Sequence, residues 1–182
     1  MTEPANTPAT PPPAPTAAPA AKPKAAPKPA APVATVPPPE PPPPNPLPEL
    51  ALPCTGVHHH LRGLHAEATV SPDQVVFAAE EMDRTGFSLD TITGVDWIAE
   101  NQMEVIYDYF HSLRNLRVAI RTRVPRDNPD LPTISGVFPG ANWHEREAHD
   151  FFAIRFAGHP NLTPFLLPED ADYHPLRKDF KL

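Results

Sequence analysis

The sequence contains few of the residues on which most cofactor sites are built. It has one cysteine and seven glycines among 182 residues. A single thiol, Cys54, closes no internal disulfide and falls short of the roughly four ligands of an iron–sulfur cluster. The glycines form neither a G-x-G-x-x-G turn nor a phosphate-binding loop, which argues against a glycine-rich nucleotide site. We therefore expect this chain to hold no cofactor.

Long apolar runs are absent too, and positive charge is in deficit. No apolar stretch approaches the roughly 20 residues of a membrane span. Prolines interrupt every apolar stretch near the N-terminus, so we expect no signal peptide and a soluble protein. The formal net charge is −7. An acidic chain argues against nucleic-acid binding and against a polybasic membrane anchor.

Proline, by contrast, is abundant, with 30 residues. Twenty-one of them, with 13 alanines and no aromatic residue or glycine, fall within residues 1–53. Such a segment has too little apolar side-chain area to offset the entropy of folding. The sequence therefore predicts a disordered Pro/Ala-rich tail over 1–53 and one domain over 54–182.

The proline run over 37–48 favours the extended polyproline II conformation. Three roles fit it: a stiff spacer, a ligand for an aromatic-lined groove, and an arm that rests on a neighbouring subunit. Composition does not separate these roles.

The first regular element of the domain is predicted to be a helix that starts near Ser71. Ser71 suits the N-cap, Pro72 the first helical position, and Gln74 the return bond of a capping box. Apolar residues then recur on one helical face as far as Met82, and Gly86 is placed to end the helix.

Three strands are predicted next, because the apolar period changes towards two. The first spans 87–97, with a candidate bulge at Gly94. The second and third form a hairpin around the two-residue turn candidate Arg114-Asn115. The predicted register brings the apolar faces together and pairs Tyr109 with Ile120, Tyr107 with Thr122, Val105 with Val124 and Asp108 with Arg121.

A second helix is predicted after a loop over 125–132. Asn142 suits its N-cap and Glu145 the third position of a capping box, and apolar residues at 148, 151 and 152 form a stripe. The stretch over 158–175 is predicted to be an ordered, irregular loop. Adjacent strands followed by a helix and a loop indicate an α+β fold: a small antiparallel or mixed sheet with an N-terminal and a C-terminal helix.

Two groups of histidines are candidate metal ligands. His144, Glu145 and His149 lie on the second predicted helix, but the histidines diverge by roughly 140° around it. The other group is His58-His59-His60 with His65, and consecutive histidines on a strand alternate faces. Neither group supplies enough converging ligands, so we expect no metal site and favour solvated histidines for the second group and a structural role for the first.

Charged residues form two further patterns. Arg146 and Glu147 precede Asp150 by four and three residues, which predicts an ion-pair network on the second helix. A basic stripe lies on one strand of the hairpin: Arg117, Arg121 and Arg123. The stripe suits the binding of a phosphate or of an acidic partner. The alternative is a cross-strand ion-pair face, in which the arginines pair with the acids of the neighbouring strand. No nucleophile stands beside a base, so the residues alone indicate an interaction domain without catalytic residues.

Four blocks near the C-terminus carry a specific signal. They read NWHEREAHDFF over 142–152, GHPNL over 158–162, LLPED over 166–170 and HPLRKDF over 174–180. In this order they closely resemble the C subunit family of proton-pumping NADH:quinone oxidoreductase, respiratory complex I. That family includes the equivalent subunit of energy-converting membrane-bound nickel–iron hydrogenases.

The resemblance implies a non-catalytic peripheral-arm subunit of a membrane-bound, ion-translocating oxidoreductase. Such a subunit docks on and orients the large redox subunit, which forms the quinone pocket of complex I or the nickel–iron site of a hydrogenase. The expected partners are this large subunit and the small iron–sulfur subunits. FMN, iron–sulfur clusters or a nickel–iron centre are expected in those partners. The chain is expected at the cytoplasmic side of the cell membrane, which it contacts only through the complex.

The matching blocks also supply the candidates for subunit docking: Glu145, Arg146, Glu147, Asp150, His159, Pro160, Glu169, Asp170, His174, Pro175, Arg177, Lys178 and Asp179. The chain departs from the family pattern elsewhere in this segment, at His149, Ala153, Thr163, Pro164 and Tyr173. These departures favour a relative such as a hydrogenase over the respiratory enzyme. Two other hypotheses stay open: a free-standing metal enzyme that uses His144, Glu145 and His149, and an adapter whose proline-rich arm recruits a partner.

Overall fold

A computed structural model describes residues 40–181. The strands are β1 (Thr55–Gly56), β2 (Ala66–Thr69), β3 (Ser88–Trp97), β4 (Gln102–His111), β5 (Leu116–Pro125), β6 (Asp130–Pro132) and β7 (Arg155–Ala157). They form a five-stranded sheet in the order β1-β2-β5-β4-β3 and a separate pair of short strands, β6 and β7. The helices are α1 (His59–Arg62), α2 (Val75–Arg84) and α3 (Ala141–Phe152). The prediction of an α+β fold with a mixed sheet is confirmed.

The sheet has one buried and one open face. β3, β4 and β5 form an antiparallel meander, whereas β2 runs parallel to β5. The inner face carries buried side chains such as Val105, Tyr107 and Ile120, and α3 packs against β3. Charged side chains alternate with these on the outer face, as expected for an antiparallel sheet that faces water on one side.

The predicted first helix is confirmed. After Ser71 the chain makes one 3-10 turn, Pro72–Gln74, and continues into α2. The N–H of Ser71 donates to Oε1 of Gln74 at 3.4 Å, which is the predicted glutamine half of the capping box. Gly86, two residues after α2, has φ 84°, a conformation that favours glycine.

Gly94 serves a different purpose from the one predicted. The irregularity of β3 falls between Leu89 and Thr91 and not at Gly94. A Cβ atom on Gly94 would lie 2.6 Å from Cδ2 of Phe152. The missing side chain therefore lets the Phe152 ring lie directly on β3, which brings α3 close to the sheet.

The hairpin is confirmed, but its predicted register is wrong by two residues. The observed pairs are Tyr109 with Val118, Tyr107 with Ile120, Val105 with Thr122 and Asp108 with Ala119. The strands are joined by a four-residue turn over 112–115, in which Asn115 has φ 50°. A shift of two residues leaves every side chain on its predicted face, so the apolar pattern fits both registers equally well.

The loop predicted over 125–132 is wrong at both ends. Pro125 is the last residue of β5, and residues 130–132 form β6, which pairs in parallel with β7. Strands of three residues are too short to show an alternation in the sequence. The irregular loop predicted over 158–175 is confirmed.

The second helix is confirmed, but its predicted capping box is wrong. α3 has Gly140 at its N-cap, without a side-chain hydrogen bond to the helix end. Asn142 and Glu145 are therefore both inside the helix. Ala148 is buried and the two phenylalanines of the predicted stripe are half-buried, so the apolar face was assigned correctly.

The core extends further towards the N-terminus than the predicted boundary at residue 53. Leu47, Leu50 and Leu52 are at most 9% exposed and belong to the main apolar cluster. The prolines before them lie against the domain, since a Cβ atom on Gly56 would lie 2.2 Å from the carbonyl oxygen of Pro43. The three leucines supply apolar area that the average composition of the tail hides. The predicted disorder of residues 1–39 lies outside the described residues.

Candidate docking site

A buried carboxylate fixes the middle of α3 to the chain before it. The side chain of Glu145 is fully buried; it accepts hydrogen bonds from the N–H of Ile134 at 2.8 Å and from the hydroxyl of Thr133. Nε2 of His159, also fully buried, lies 3.8 Å from the carboxylate. Burial disfavours the charged form and raises the pKa of Glu145 from 4.5 to about 7, although the two hydrogen bonds oppose this shift.

A second carboxylate, at the end of α3, fixes the loop that follows β7. Oδ2 of Asp150 accepts from the N–H groups of Phe165, Leu166 and Leu167 at 2.8, 2.7 and 3.2 Å. Successive N–H groups that converge on one anion form a nest. The carbonyl oxygen of Asp150 accepts from Nδ1 of His174 at 2.8 Å. One residue of α3 therefore determines the path of the chain at two points.

Replacing Asp150 with alanine is expected to lower the free energy of unfolding by about 2–3 kcal/mol, because three partly buried N–H groups lose a charged acceptor. Hydrogen exchange should accelerate most over residues 163–168. The control is Glu147→Ala, which removes an exposed acid from the same helix and should stay within about 0.5 kcal/mol of wild type. Equal loop exchange in both variants would show that Asp150 does not hold the loop.

The ion-pair network predicted on α3 is wrong. Arg146 turns to the loop instead, and its guanidinium donates to the carbonyl oxygens of Thr163 at 2.9 Å and Pro164 at 2.8 Å. The guanidinium carbon lies 5.2 Å from the ring centre of Trp143 and 5.1 Å from that of Phe165. These are cation–π distances. Because the acceptors are carbonyls, the contact does not depend on which side chains stand at 163 and 164.

A third anchor, which the sequence did not reveal, holds the C-terminal segment. The side chain of Asp96 on β3 is 0% exposed and accepts two hydrogen bonds from Arg126, at 2.8 and 3.1 Å. It also accepts from the N–H of Lys178 at 2.7 Å, and Arg126 pairs with Asp179 as well. Burial alone would raise the pKa of Asp96, but the hydrogen bonds from Arg126 and Lys178 outweigh it and hold that pKa below its usual value. The available signal was an acid at an inward position of a predicted strand.

The other docking candidates lie at the surface of the same segment. Glu147, Pro160, Glu169 and Asp170 are exposed, and Pro175 and Arg177 are half-buried. Arg177 lies 4.0 Å from Asp179. The structure thus brings Glu145 together with His159, Asp150 with His174, and Lys178 and Asp179 with the Asp96–Arg126 pair. The inward-facing members fix the backbone, and the outward-facing members are accessible to another molecule.

No three histidine, cysteine, aspartate or glutamate side chains converge on a metal-sized site within residues 40–181. His149 donates from Nδ1 to the carbonyl oxygen of Ile154 at 2.9 Å. In the N-terminal group, His59 stacks on His65 with ring centres 4.2 Å apart. A ring nitrogen of His58 bonds to a carbonyl of the proline-rich stretch at 2.8 Å. The histidines of both groups therefore contact other groups of the same chain.

The basic stripe on β5 belongs to a cross-strand ion-pair face. Arg121 lies 3.4 Å from Glu67, and Arg123 lies 3.5 Å from Glu104. Arg123 also pairs with Glu100 at 2.6 Å. Of the two interpretations of the stripe, the ion-pair face is confirmed.

The fold and these anchors define a small α+β domain whose C-terminal segment is held in place by buried polar side chains of the same chain. The segment with the sequence blocks uses its buried charges to fix its own backbone. Its exposed large apolar side chains are Trp143, Phe165, Leu166, Tyr173 and Leu176. Apolar side chains grouped at a surface mark protein contacts.

Known proteins identify the family. The family model of the respiratory-chain NADH dehydrogenase 30 Kd subunit matches residues 68–182. The chain is 38% identical over 118 residues to the C subunit of NADH-quinone oxidoreductase from Roseiflexus sp. (strain RS-1), across 62% of this chain and 68% of that protein. It is 34% identical over 123 residues to the C subunit from Moorella thermoacetica, across 66% and 83%. The chain therefore belongs to this family, as its four sequence blocks predicted.

A solved structure agrees with this assignment. A chain of the membrane-bound sulfane sulfur reductase, an archaeal respiratory membrane complex, superposes with a TM-score of 0.60 and 29% sequence identity. The superposition covers 64% of this chain and 72% of that chain. Within residues 40–181, no helix is both long enough and apolar enough to cross a membrane.

Proposed function

We propose that this chain is a non-catalytic subunit of a membrane-bound oxidoreductase of the NADH-quinone oxidoreductase type, in which it docks on and orients the large redox subunit. The observation that carries this proposal is the use of buried charge in the segment over 142–180. Glu145 and Asp150 accept hydrogen bonds from groups of the same chain, as does Asp96 beneath the segment. A catalytic acid or base has to reach a substrate, whereas these carboxylates stiffen a surface.

We place the redox groups of the complex, FMN and iron–sulfur clusters, in its other subunits. The single cysteine supports this placement, because an iron–sulfur cluster takes about four ligands, mostly thiolates. Cys54 is also buried, and burial raises the pKa of its thiol. A thiol that stays protonated is a poor ligand and a poor nucleophile.

Purification of the tagged full-length chain from solubilised native membranes tests this function. We expect a large redox subunit and small iron–sulfur subunits in stoichiometric amounts, with the iron, flavin and electron paramagnetic resonance signals in those subunits. Deletion of the gene should leave the large subunit unassembled. Recovery of the chain without redox subunits would refute the proposal, as would a stoichiometric cofactor bound to the chain alone.

A related membrane complex with another electron donor is the second candidate. The superposition on a chain of an archaeal sulfane sulfur reductase favours it, and an energy-converting hydrogenase belongs to the same group of alternatives. The subunits that co-purify distinguish the candidates. NADH- and flavin-binding subunits indicate the respiratory enzyme, whereas a nickel-binding or sulfur-reducing large subunit indicates the relative. In either complex we place the chain at the cytoplasmic side, where protease should reach it in inverted vesicles but not in intact spheroplasts.

A further inference from the structure

Three large apolar side chains form an exposed ridge where α3 meets the loop after β7. Trp143, Phe165 and Leu166 are 54%, 40% and 53% exposed. The ring centres of Trp143 and Phe165 are 5.1 Å apart, and Leu166 follows directly in the chain. We call these three residues the ridge. Tryptophan and large apolar side chains are typical anchors of protein interfaces.

The ridge is rigid although it is exposed. The guanidinium of Arg146 contacts the rings of both Trp143 and Phe165 and is itself tied to two loop carbonyls. The backbone N–H groups of Phe165 and Leu166 both donate to the buried carboxylate of Asp150. A preorganised surface loses little entropy on binding, which favours tight association. The fold thus holds apolar side chains in water in a fixed arrangement.

Two acidic residues follow the ridge closely along the chain. Glu169 and Asp170 are exposed and lie three and four residues after Leu166, in a turn closed by the N–H of Ala171 and the carbonyl of Pro168 at 3.0 Å. Within residues 40–181 neither acid makes an ion pair. We call these two acids the rim. A partner that covers the ridge therefore faces unpaired negative charge at its edge.

We propose that the ridge inserts into an apolar groove of a neighbouring subunit in the same complex, and that lysine or arginine residues of that subunit face the rim. This inference rests on the proposed function and adds the chemistry of the contact. Opposite charges at the edge of an interface speed association and select the partner. Tight insertion of the ridge supplies the affinity.

Two other occupants fit the charges less well. A second copy of this chain in a two-fold symmetric contact would bring the same acidic rim to the interface twice. An anionic membrane surface attracts basic segments and would repel the rim. A partner subunit with a basic border satisfies both the apolar and the charged part of the surface.

The test uses the full-length tagged chain in a strain that lacks the native gene. Leu166→Asp places a charge in the ridge, and we expect a reduction of roughly 30-fold or more in co-purified redox subunits, as for the loss of a hot-spot residue. The control is Leu113→Asp, which places the same charge at a leucine that is 93% exposed on the hairpin turn and should leave the yield unchanged. Both purified variants should melt within a few degrees of wild type, because neither side chain is part of the core.

The rim is tested by charge reversal. Glu169→Lys with Asp170→Lys should slow association about 10-fold at low salt, with a smaller effect at high salt. The control pair Glu80→Lys with Asp83→Lys reverses two exposed acids on α2 and should have no effect on association.

The outcomes separate the two proposals. If wild type captures redox subunits and Leu166→Asp captures them equally well, the ridge inference is wrong and the proposed function stands. If wild type captures none, the proposed function is wrong and the partner inferred here with it. A wild-type dimer that Leu166→Asp converts to a monomer, or ridge-dependent binding to anionic vesicles, would each overturn the ridge inference in favour of another occupant.

Discussion

Replacement of Arg126 by alanine is expected to lower the free energy of unfolding by about 3 kcal/mol, the lower end of the range for breaking a buried ion pair. The Asp96 carboxylate has no exposed surface, and Arg126 neutralises it through two hydrogen bonds. Without the guanidinium, the carboxylate keeps the N–H of Lys178 and no cation at bonding distance. The lower end applies because the segment around Lys178 that covers the pair can open and admit water. Urea denaturation at pH 7 measures the change.

A matched arginine on the surface provides the control. Arg155 pairs with Asp130, and both side chains are about half exposed, at 56% and 45%. Solvent screens such a pair, so Arg155→Ala should leave the denaturation midpoint nearly unchanged. Equal destabilisation by the two substitutions would mean that the buried Asp96–Arg126 pair contributes no more to the free energy of unfolding than an exposed pair does.

The pH dependence gives a second check on this pair. The pKa of Asp96 is lowered in the folded protein, so its stabilisation is present above the unfolded pKa of about 3.9 and is lost as pH falls through the folded value. Burial raises the pKa of Asp96 once Arg126 is gone, so the variant regains stability as Asp96 becomes protonated. The difference between wild type and Arg126→Ala should therefore be largest at neutral pH and shrink as pH falls.

The second large effect concerns Glu145, whose pKa is shifted in the opposite direction. Because its pKa is raised from 4.5 to about 7, the folded protein binds more protons than the unfolded chain between these two values. Stability is therefore highest below the lower value and falls as pH rises through the upper one, by up to about 3 kcal/mol. Glu145→Gln retains the shape and an acceptor for the N–H of Ile134, and it should remove this decline.

Urea midpoints of wild type and Glu145→Gln at pH 5, 6, 7 and 8 measure the effect. The difference between the two curves reports the removal of the Glu145 carboxylate, which lies 3.8 Å from Nε2 of His159. Glu147→Gln, an exposed acid on the same helix, should follow the wild-type curve. Parallel curves for wild type and Glu145→Gln would show that Glu145 is ionised throughout this range.

Periodicity and turn chemistry predicted most of the sheet and both longer helices. Particular residues show where prediction from these local signals fails. Ser71, Pro72 and Gly86 set the two ends of a helix through contacts with residues close in the sequence, and the helix was predicted correctly. The hairpin register was wrong because a two-residue shift preserves the faces and only the turn conformation at Asn115 distinguishes the alternatives. Leu47 was assigned to the tail because composition averages over a segment and hides three leucines among the prolines.

The site was less accessible to sequence reasoning because its contacts are long-range. Glu145 lies three residues after Asn142, the spacing of a capping box, but the groups that donate to its carboxylate are the hydroxyl of Thr133 and the N–H of Ile134. Arg146 and Asp150 have the spacing of a helical ion pair, yet carbonyl and N–H groups of the loop satisfy both. The four sequence blocks located the segment correctly, and the structure distinguishes the members that stiffen it from those that face outward.

The anchor at Asp96 also affects the order in which parts of the fold form while the chain is being synthesised. The Lys178 N–H that completes it comes from 82 residues further along the chain, so a chain under synthesis has its sheet before it has this anchor. Contacts at such separations form late because closing the loop costs entropy first. Phe165 and Leu166 likewise reach their fixed positions only after the chain beyond α3 has been translated. The ridge is thus completed late in folding. On the proposal that it docks on another subunit, a chain interrupted within α3 or the loop after β7 would fail to be recruited.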